Sequence, residues 1–116
     1  MSQFQNIVAA RLCQAAIGTT YSTIYSVNGQ TQSYVKDIDI ANTTSSSINV
    51  YVHIVAYGAS AGTTGTNANA LLYCVPIPGW STLQWTGTQI MNANDTIQVK
   101  ASATGLNITI SGAQAT

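Results

Sequence analysis

The stretch INVYVHIVAY, residues 48–57, contains two alternating rows of side chains. The first row is apolar throughout, and the second mixes polar and aromatic side chains with one valine. Alternation over this length predicts a β-strand that buries its first row. The fold and function then depend on what the second row faces. The first row is Ile48, Val50, Val52, Ile54 and Ala56, and the second is Asn49, Tyr51, His53, Val55 and Tyr57.

The same signature recurs along most of the chain. Short runs rich in Val, Ile, Thr and Tyr are separated by turn signals such as VNGQ, PGWS and NAND. This spacing predicts an all-β fold: a single antiparallel β-sandwich or jelly-roll-like domain of about seven or eight strands. Residues 1–19 are predicted to be an N-terminal arm or a first strand, and 20–116 the β-sandwich domain. Strands are predicted at 20–27, 33–42, 48–57, 70–77, 82–90, 95–103 and 106–112.

The last two predicted strands suggest a hairpin. With Thr104-Gly105 as a two-residue turn, the residues that flank the turn lie opposite each other and share one face. All the residues on that face are apolar, which predicts that it is buried. The predicted pairs are Ala103 with Leu106, Ala101 with Ile108, and Val99 with Ile110.

Charged side chains are scarce. Lys and Arg number three, Asp and Glu number three, and the charged fraction is 5%, against about 25% in a typical soluble domain. A neutral chain has little electrostatic protection against self-association. Three basic residues cannot neutralise several phosphates, so neither nucleic acid nor an anionic membrane is expected as a partner. The N-terminus lacks the features of a signal peptide, which indicates synthesis in a cytoplasm.

Groups that could carry chemistry are few and scattered. His53 stands on a strand with no nucleophile motif. Asp37 and Asp39 lie on one face of a strand, where calcium would need more oxygen ligands than they supply. Pairing with Lys36, Arg11 or Lys100 across strands, or solvation, is the favoured alternative. Asp95, in NANDT, is predicted to form a turn by bonding nearby backbone N–H groups. The sequence therefore predicts a protein that is not an enzyme and has no cofactor or metal.

The two cysteines are too few and too far apart for a disulfide framework or a zinc site. Cys13 and Cys74 are expected to be reduced and packed as small hydrophobic residues.

Aromatic side chains are the best candidates for contacts with partners. Tyrosine on a strand face is typical of protein interfaces, where it buries a large area and keeps a hydrogen bond. Trp85 is expected to pack in the sandwich and Trp80 to cover one end, with a carbohydrate-stacking platform as the alternative. The loop at 58–69 either crosses between the sheets or contacts a ligand. The predicted interface, with a second copy or a larger assembly, consists of Tyr51, His53, Val55, Tyr57 and Trp80.

Three stretches resemble a family of small β-sandwich virion proteins of tailed bacteriophages. They are TIYSVNGQTQSYVKDIDIANTTSSSINVYVHIVAYGASAG, NALLYCVPIPGWSTLQWTGTQIMNANDTIQVKASA and NITISG, and the resemblance covers about residues 20–112. Its motifs are structural rather than chemical, so no catalytic residue is carried over. Asn28-Gly29 stands where a Pro-Ala or Pro-Gly turn is usual. The resemblance implies a structural protein attached to a capsid or a tail.

Together these observations favour a non-enzymatic phage virion structural protein. The leading hypothesis is a capsid decoration (cement) protein that acts as a symmetric homo-oligomer, expected to be a trimer, on the major capsid protein. The alternatives are a tail, collar or fibre accessory protein that contacts tail proteins, or a module that binds host glycans. In the first two cases the protein would be located in the virion.

Overall fold

The computed structural model describes residues 7–57 and 69–116. These residues form eight β-strands, and no helix among them is long and apolar enough to cross a membrane. Most of the strands lie within a residue or two of their predicted positions. The strands are β1 (Ile7–Ile17), β2 (Ser22–Ser26), β3 (Gln32–Asn42), β4 (Ile48–Val55), β5 (Ala70–Ile77), β6 (Thr82–Met91), β7 (Thr96–Ala101) and β8 (Leu106–Ala115).

The strands form two four-stranded antiparallel sheets. Their orders are β1-β8-β3-β6, called sheet A here, and β2-β7-β4-β5, called sheet B. Consecutive strands along the chain alternate between the sheets, except that β4 and β5 are neighbours in sheet B, as in a double-sheet jelly roll. The predicted all-β sandwich is confirmed. Residues 7–17 are a strand of sheet A and pair with β8 along its length.

The core lies between the two sheets and is almost entirely aliphatic. Alternate residues of β3, β4, β7 and β8 point into it, which explains the period of two in the sequence. In the predicted apolar row, Ile48, Val50 and Val52 are buried as predicted and Ile54 is partly buried against the same core, whereas Ala56 lies beyond the end of β4 and is exposed. The buried core residues of these four strands are Val35, Ile38, Ile40, Ile48, Val50, Val52, Ile97, Val99, Ala101, Leu106, Ile108 and Ile110.

The predicted hairpin between β7 and β8 is wrong. β7 pairs with β2 and β4, whereas β8 pairs with β1 and β3, so the two strands belong to different sheets. Residues 102–105 cross between the sheets. Gly105 makes the bend at a φ of 124°, and its carbonyl accepts hydrogen bonds from the backbone N–H of Thr43 at 2.9 Å and from its hydroxyl at 2.8 Å. Both buried rows face the core, as predicted, but from opposite sides. Ala103 is exposed because it lies in the crossing.

A pair of bulges flanks β8 at one level. Lys36 is an extra residue in β3 and Leu12 an extra residue in β1, both relative to β8. Gly112 of β8 sits beside the bulge in β3, where a Cβ atom would collide with the backbone carbonyl oxygen of Tyr34. The close approach of the two backbones therefore requires glycine at this position.

One end of the sandwich is tied together by a buried asparagine. Asn42 is 3% exposed, and its Nδ2 donates to the carbonyl oxygens of Ser46 at 2.8 Å and Ile77 at 2.9 Å. Its Oδ1 accepts from the backbone N–H of Thr44 at 2.9 Å. The amide thereby links the β3–β4 connection to the end of β5. At the other end, Asp95 accepts from two backbone N–H groups, those of Asn92 at 2.9 Å and Tyr57 at 3.0 Å, which confirms its predicted role.

Asp37 and Asp39 lie on the outer face of sheet A. Burial raises the pKa of Asp39, and a hydrogen bond with Asp37 and the charge of Asp37 raise it further. Asp37 also accepts a hydrogen bond from Gln84 Nε2 at 3.4 Å. The two carboxyl groups are therefore neighbours, as their spacing predicts.

The predicted partners of these carboxyl groups are elsewhere. Lys36 Nζ donates to Thr88 Oγ1 at 3.1 Å, and Lys100 belongs to sheet B, so the pairings predicted for these two lysines are wrong. Lys36 points away because it is the bulged residue. Arg11 lies level with Asp37 across the sheet, with Ser111 of β8 between them.

Replacing Gly112 by alanine should lower the free energy of unfolding by about 3 kcal/mol, since the added methyl group must displace backbone rather than a flexible side chain. The control is Gly18→Ala, because a Cβ atom there meets nothing within 4 Å. Urea denaturation of both variants measures the difference. Equal stabilities would contradict the close packing of β3 and β8.

Candidate functional site

The second row of β4 lies on the outer face of sheet B. Tyr51 is opposite Lys100 of β7, and His53 is opposite Gln98. Directly paired residues share a face, so these four side chains occupy one side of the sheet. Tyr21, which precedes β2, and Tyr73 of β5 pack against them. We call this set the tyrosine–histidine cluster: Tyr21, Tyr51, His53, Tyr73, Gln98 and Lys100.

His53 is the buried centre of this cluster, with 0% of its surface exposed. Its Nδ1 lies 2.6 Å from Asn69 Oδ1, and its Nε2 lies 3.0 Å from the hydroxyl of Tyr21. A neutral imidazole has one donor and one acceptor nitrogen. Because the amide oxygen can only accept, Nδ1 donates to it and Nε2 accepts from Tyr21. Both nitrogens are thus bonded within the chain, which leaves neither for a substrate proton.

Aromatic edges enclose the imidazole further. The rings of Tyr21 and His53 meet edge to face, with centroids 5.1 Å apart, and Tyr73 approaches His53 at 6.2 Å. Such edge-to-face contacts add stability beyond the area they bury. The side chain of His53 therefore faces other parts of its own chain.

A second part of the cluster surrounds Tyr51. The Tyr51 hydroxyl donates to Cys74 Sγ at 3.3 Å, and Lys100 Nζ lies 4.7 Å from the Tyr51 ring centre and 5.0 Å from that of Tyr21. The hydrogen bond to Cys74, followed by burial, raises the pKa of Tyr51. Burial, followed by the charge of Tyr73, raises the pKa of Tyr21. Lys100 thus interacts with π faces rather than with a carboxylate.

The two cysteines differ in their surroundings. Cys13 is half-buried against the core and donates to the carbonyl oxygen of Ile24 at 3.2 Å, and burial raises the pKa of its thiol. Cys74 is exposed, at a φ of 54° in β5. Packing as a small hydrophobic residue is therefore confirmed for Cys13 and wrong for Cys74, because a bulge turns Cys74 outward.

The five residues of the predicted interface are not equally accessible. His53 and Val55 are 0% and 1% exposed, so neither can reach a partner without rearrangement of the subunit. Tyr51 is partly exposed, whereas Tyr57 and Trp80 are 77% and 72% exposed. The interface stays a prediction for these three aromatic residues.

The exposed aromatic residues lie far apart. Tyr57 follows the end of β4, and the backbone N–H of Trp80 bonds the carbonyl of Thr44, before the start of β4, at 2.9 Å. Eight residues of extended strand, about 26 Å, separate the two ends. Trp85, by contrast, packs against the core as expected. Tyr57 and Trp80 therefore do not form one compact patch.

Sequence patterns alone did not identify three exposed aliphatic residues, all of them in sheet A. Ile7 and Val8 of β1 are 66% and 60% exposed, and Ile90 of β6 is 57% exposed. Their positions in the two outermost strands of the sheet explain the exposure. No sequence signal identifies them, because alternation within a strand does not show which strands are outermost in a sheet.

No concentration of catalytic groups accompanies these surfaces. Among the residues that the structure describes, no three His, Cys, Asp or Glu side chains lie close enough together to hold a metal ion. A cleft of about 250 Å³ contains apolar and amide side chains, none of which titrates. It is lined by Ile54, Asn69, Ala70, Leu71 and Gln89. The predicted loop at 58–69 lies outside the described residues, apart from Asn69.

Truncating His53 to alanine should lower the free energy of unfolding by about 3 kcal/mol, because it removes two hydrogen bonds and leaves a cavity among aromatic rings. Tyr57→Ala, in the same row but exposed, should change it by less than about 0.5 kcal/mol. Urea denaturation at low protein concentration tests both. A small effect of His53→Ala would mean that the cluster does not support the fold.

The raised pKa values of Tyr21 and Tyr51 predict a delayed phenol titration. Part of the near-ultraviolet absorbance change should occur above the usual range, about pH 10, and Tyr51→Phe should reduce that part. A raised pKa favours the neutral phenol in the folded state. These tyrosines therefore contribute stability below the unfolded pKa, which is lost as the pH rises through the folded value. A Tyr51→Phe titration identical in shape to that of the wild type would contradict this.

Comparisons with known proteins found similarity in fold among solved structures. No protein-family model matches the sequence, and no curated protein matches it. A subunit of Bacillus endospore appendages, described as disulfide-linked pili, is similar with a TM-score of 0.54 and 16% identity, over 100% of this chain and 95% of that one. A chain of infectious bursal disease virus, Gx strain, is similar with a TM-score of 0.53 and 9% identity, over 95% of this chain and 32% of that one. At these identities the likeness shows a shared β-sandwich fold.

Proposed function

We propose that this chain is a non-enzymatic structural protein of a phage virion. In its specific form, the proposal is a capsid decoration (cement) protein that binds the major capsid protein as a symmetric homo-oligomer, with a trimer as the expected state. The observation that carries it is a surface with large exposed hydrophobic side chains and very few charges. Those side chains are Ile7, Val8, Tyr57, Tyr73, Trp80 and Ile90, each at least 50% exposed.

This surface suits a protein that remains bound to neighbours. Burying one large apolar side chain contributes about 2 kcal/mol, and aromatic residues at the centre of an interface contribute more than most others. With six charged residues in all, charge repulsion opposes association only weakly. Many copies on one shell would then hold each other in place by multivalency.

The fold and the lack of a catalytic arrangement support the same proposal. Both His53 nitrogens are engaged within the chain. The two similar folds come from assemblies, one a pilus and the other a virus. The protein would be made in a bacterial cytoplasm and located in the virion.

Trp80 favours one further candidate function, the binding of host glycans. Its ring is 72% exposed at a φ of 59°, and an exposed indole face can stack on the C–H face of a sugar. A glycan array distinguishes the two, because the glycan function requires binding that Trp80→Ser abolishes, whereas the structural function requires none.

The structural proposal predicts concentration-dependent association. Sedimentation of the wild-type protein should reveal a discrete oligomer, and Trp80→Ser or Tyr57→Ser should weaken either oligomerisation or capsid binding at least tenfold, about 1.4 kcal/mol. Trp80→Phe is the control, since it keeps an aromatic ring. Particles produced with and without the gene, imaged by electron microscopy, should differ by one surface feature. A protein that stays monomeric at high concentration and is missing from particles would overturn the proposal.

A further inference from the structure

The two sheets differ in how their edges are protected. In sheet B, β2 is only five residues long. β5 contains Pro76, and its pairing with β4 is interrupted at Cys74, where φ is 54°. Short strands, prolines and bulges all prevent another strand from adding to a sheet. Sheet B is therefore closed to edge pairing.

Sheet A is less protected, although each of its edge strands contains one bulge, at Leu12 in β1 and at Gly87 and Thr88 in β6. β1 has 11 residues and β6 has 10, and neither contains a proline. Within residues 7–57 and 69–116, β1 pairs with β8 alone and β6 with β3 alone. Arg11 is the single charged residue in the two strands. Long edges with so little charge are templates for pairing with another chain.

Strand direction allows the two edges of sheet A to pair with each other. Every neighbouring pair in sheet A is antiparallel, so β1 and β6, at opposite edges, run in opposite directions. We propose that β1 of one copy pairs antiparallel with β6 of a second copy, so that their A sheets become continuous. This inference rests on the proposed function, and it names the contact by which copies associate.

The exposed aliphatic residues of the two edges match in position. The register places Ala9, Ala113, Tyr34 and Ile90 in one row across sheet A, on its outer face. Without a slip along the strands, Ile90 of the second copy lies beside Ala9 and diagonally from Ile7. Ile7 and Ile90, 66% and 57% exposed in the single chain, then cover each other.

Charge argues against a two-fold pairing of β1 with itself. Centred on the strand, that pairing brings Arg11 of both copies to diagonal positions, about 7–8 Å apart, and leaves Ile90 exposed. Pairing with β6 places Arg11 beside an uncharged strand.

This contact is heterologous, because each copy contributes a different edge. Such contacts form closed rings when the rotation between copies permits and open filaments otherwise. A closed ring of three would be the trimer expected above.

The test compares two double variants, Ala9→Lys with Ile90→Lys and Ala9→Lys with Ile90→Glu. In the proposed contact, the Lys/Lys variant places two like charges beside each other, and the Lys/Glu variant places two unlike charges there. Within one copy the two positions are three strand spacings apart, about 14 Å, beyond the Debye length of about 8 Å at physiological salt. We expect the Lys/Glu variant to associate at least tenfold more tightly than the Lys/Lys variant, and the difference to shrink as salt is added.

Asn107→Lys is the control, since it adds a lysine on the exposed face of the central strand β8, and it should associate like the wild type. Circular dichroism verifies that all variants fold. Equal association of the two double variants, with an assembling wild type, overturns the edge contact and leaves the proposed function intact. A wild type that stays monomeric overturns both.

Discussion

The structure depends on one geometric constraint: the apolar rows of two sheets must meet in a single core while their strands bend. β8 is where this constraint is met, because it lies between β1 and β3, which both bulge beside it. The bulge at Lys36 has a direct consequence. Val35 and Ile38 are three residues apart and would face opposite sides of a regular strand, yet both are buried. The extra residue restores their common face, and Gly112 makes room for the displaced backbone.

Alternation in the sequence was sufficient to predict where strands lie and which side chains are buried. It does not specify partners, because a buried row looks the same whether its neighbour is beside it in a sheet or across the core. The C-terminal strands illustrate this. Val99 and Ile110 are buried as predicted, but they belong to different sheets. The connection between β7 and β8 decides which sheet each strand joins. In it, the Gly105 carbonyl accepts a hydrogen bond from Thr43, in a distant segment, and does not close a two-residue turn.

The tyrosine–histidine cluster was less predictable for a similar reason. The period of two correctly placed His53 on the face opposite the apolar row. What covers that face comes from remote positions, with Tyr21 before β2 and Asn69 before β5. A sequence pattern within β4 contains no information about them. Exposure of Trp80 was easier to anticipate, since it lies in the turn signal PGWS, and side chains in connections usually reach solvent. Tyr57 was predicted within the strand at 48–57, but β4 ends before it.

The scarcity of charged residues affects both the bonds inside the fold and the properties of its surface. Where many proteins would place ion pairs, this chain uses neutral groups: the amide of Asn42 joins two connections, and the phenol of Tyr21 bonds His53. Such bonds hold a fold without screening by salt, but they provide no repulsion between copies. On sheet B, aromatic rings cover part of the outer face, and the edge strands are short or interrupted. Sheet A leaves Ile7 and Ile90 exposed on its edge strands, and these are the strands that we propose to contact a second copy.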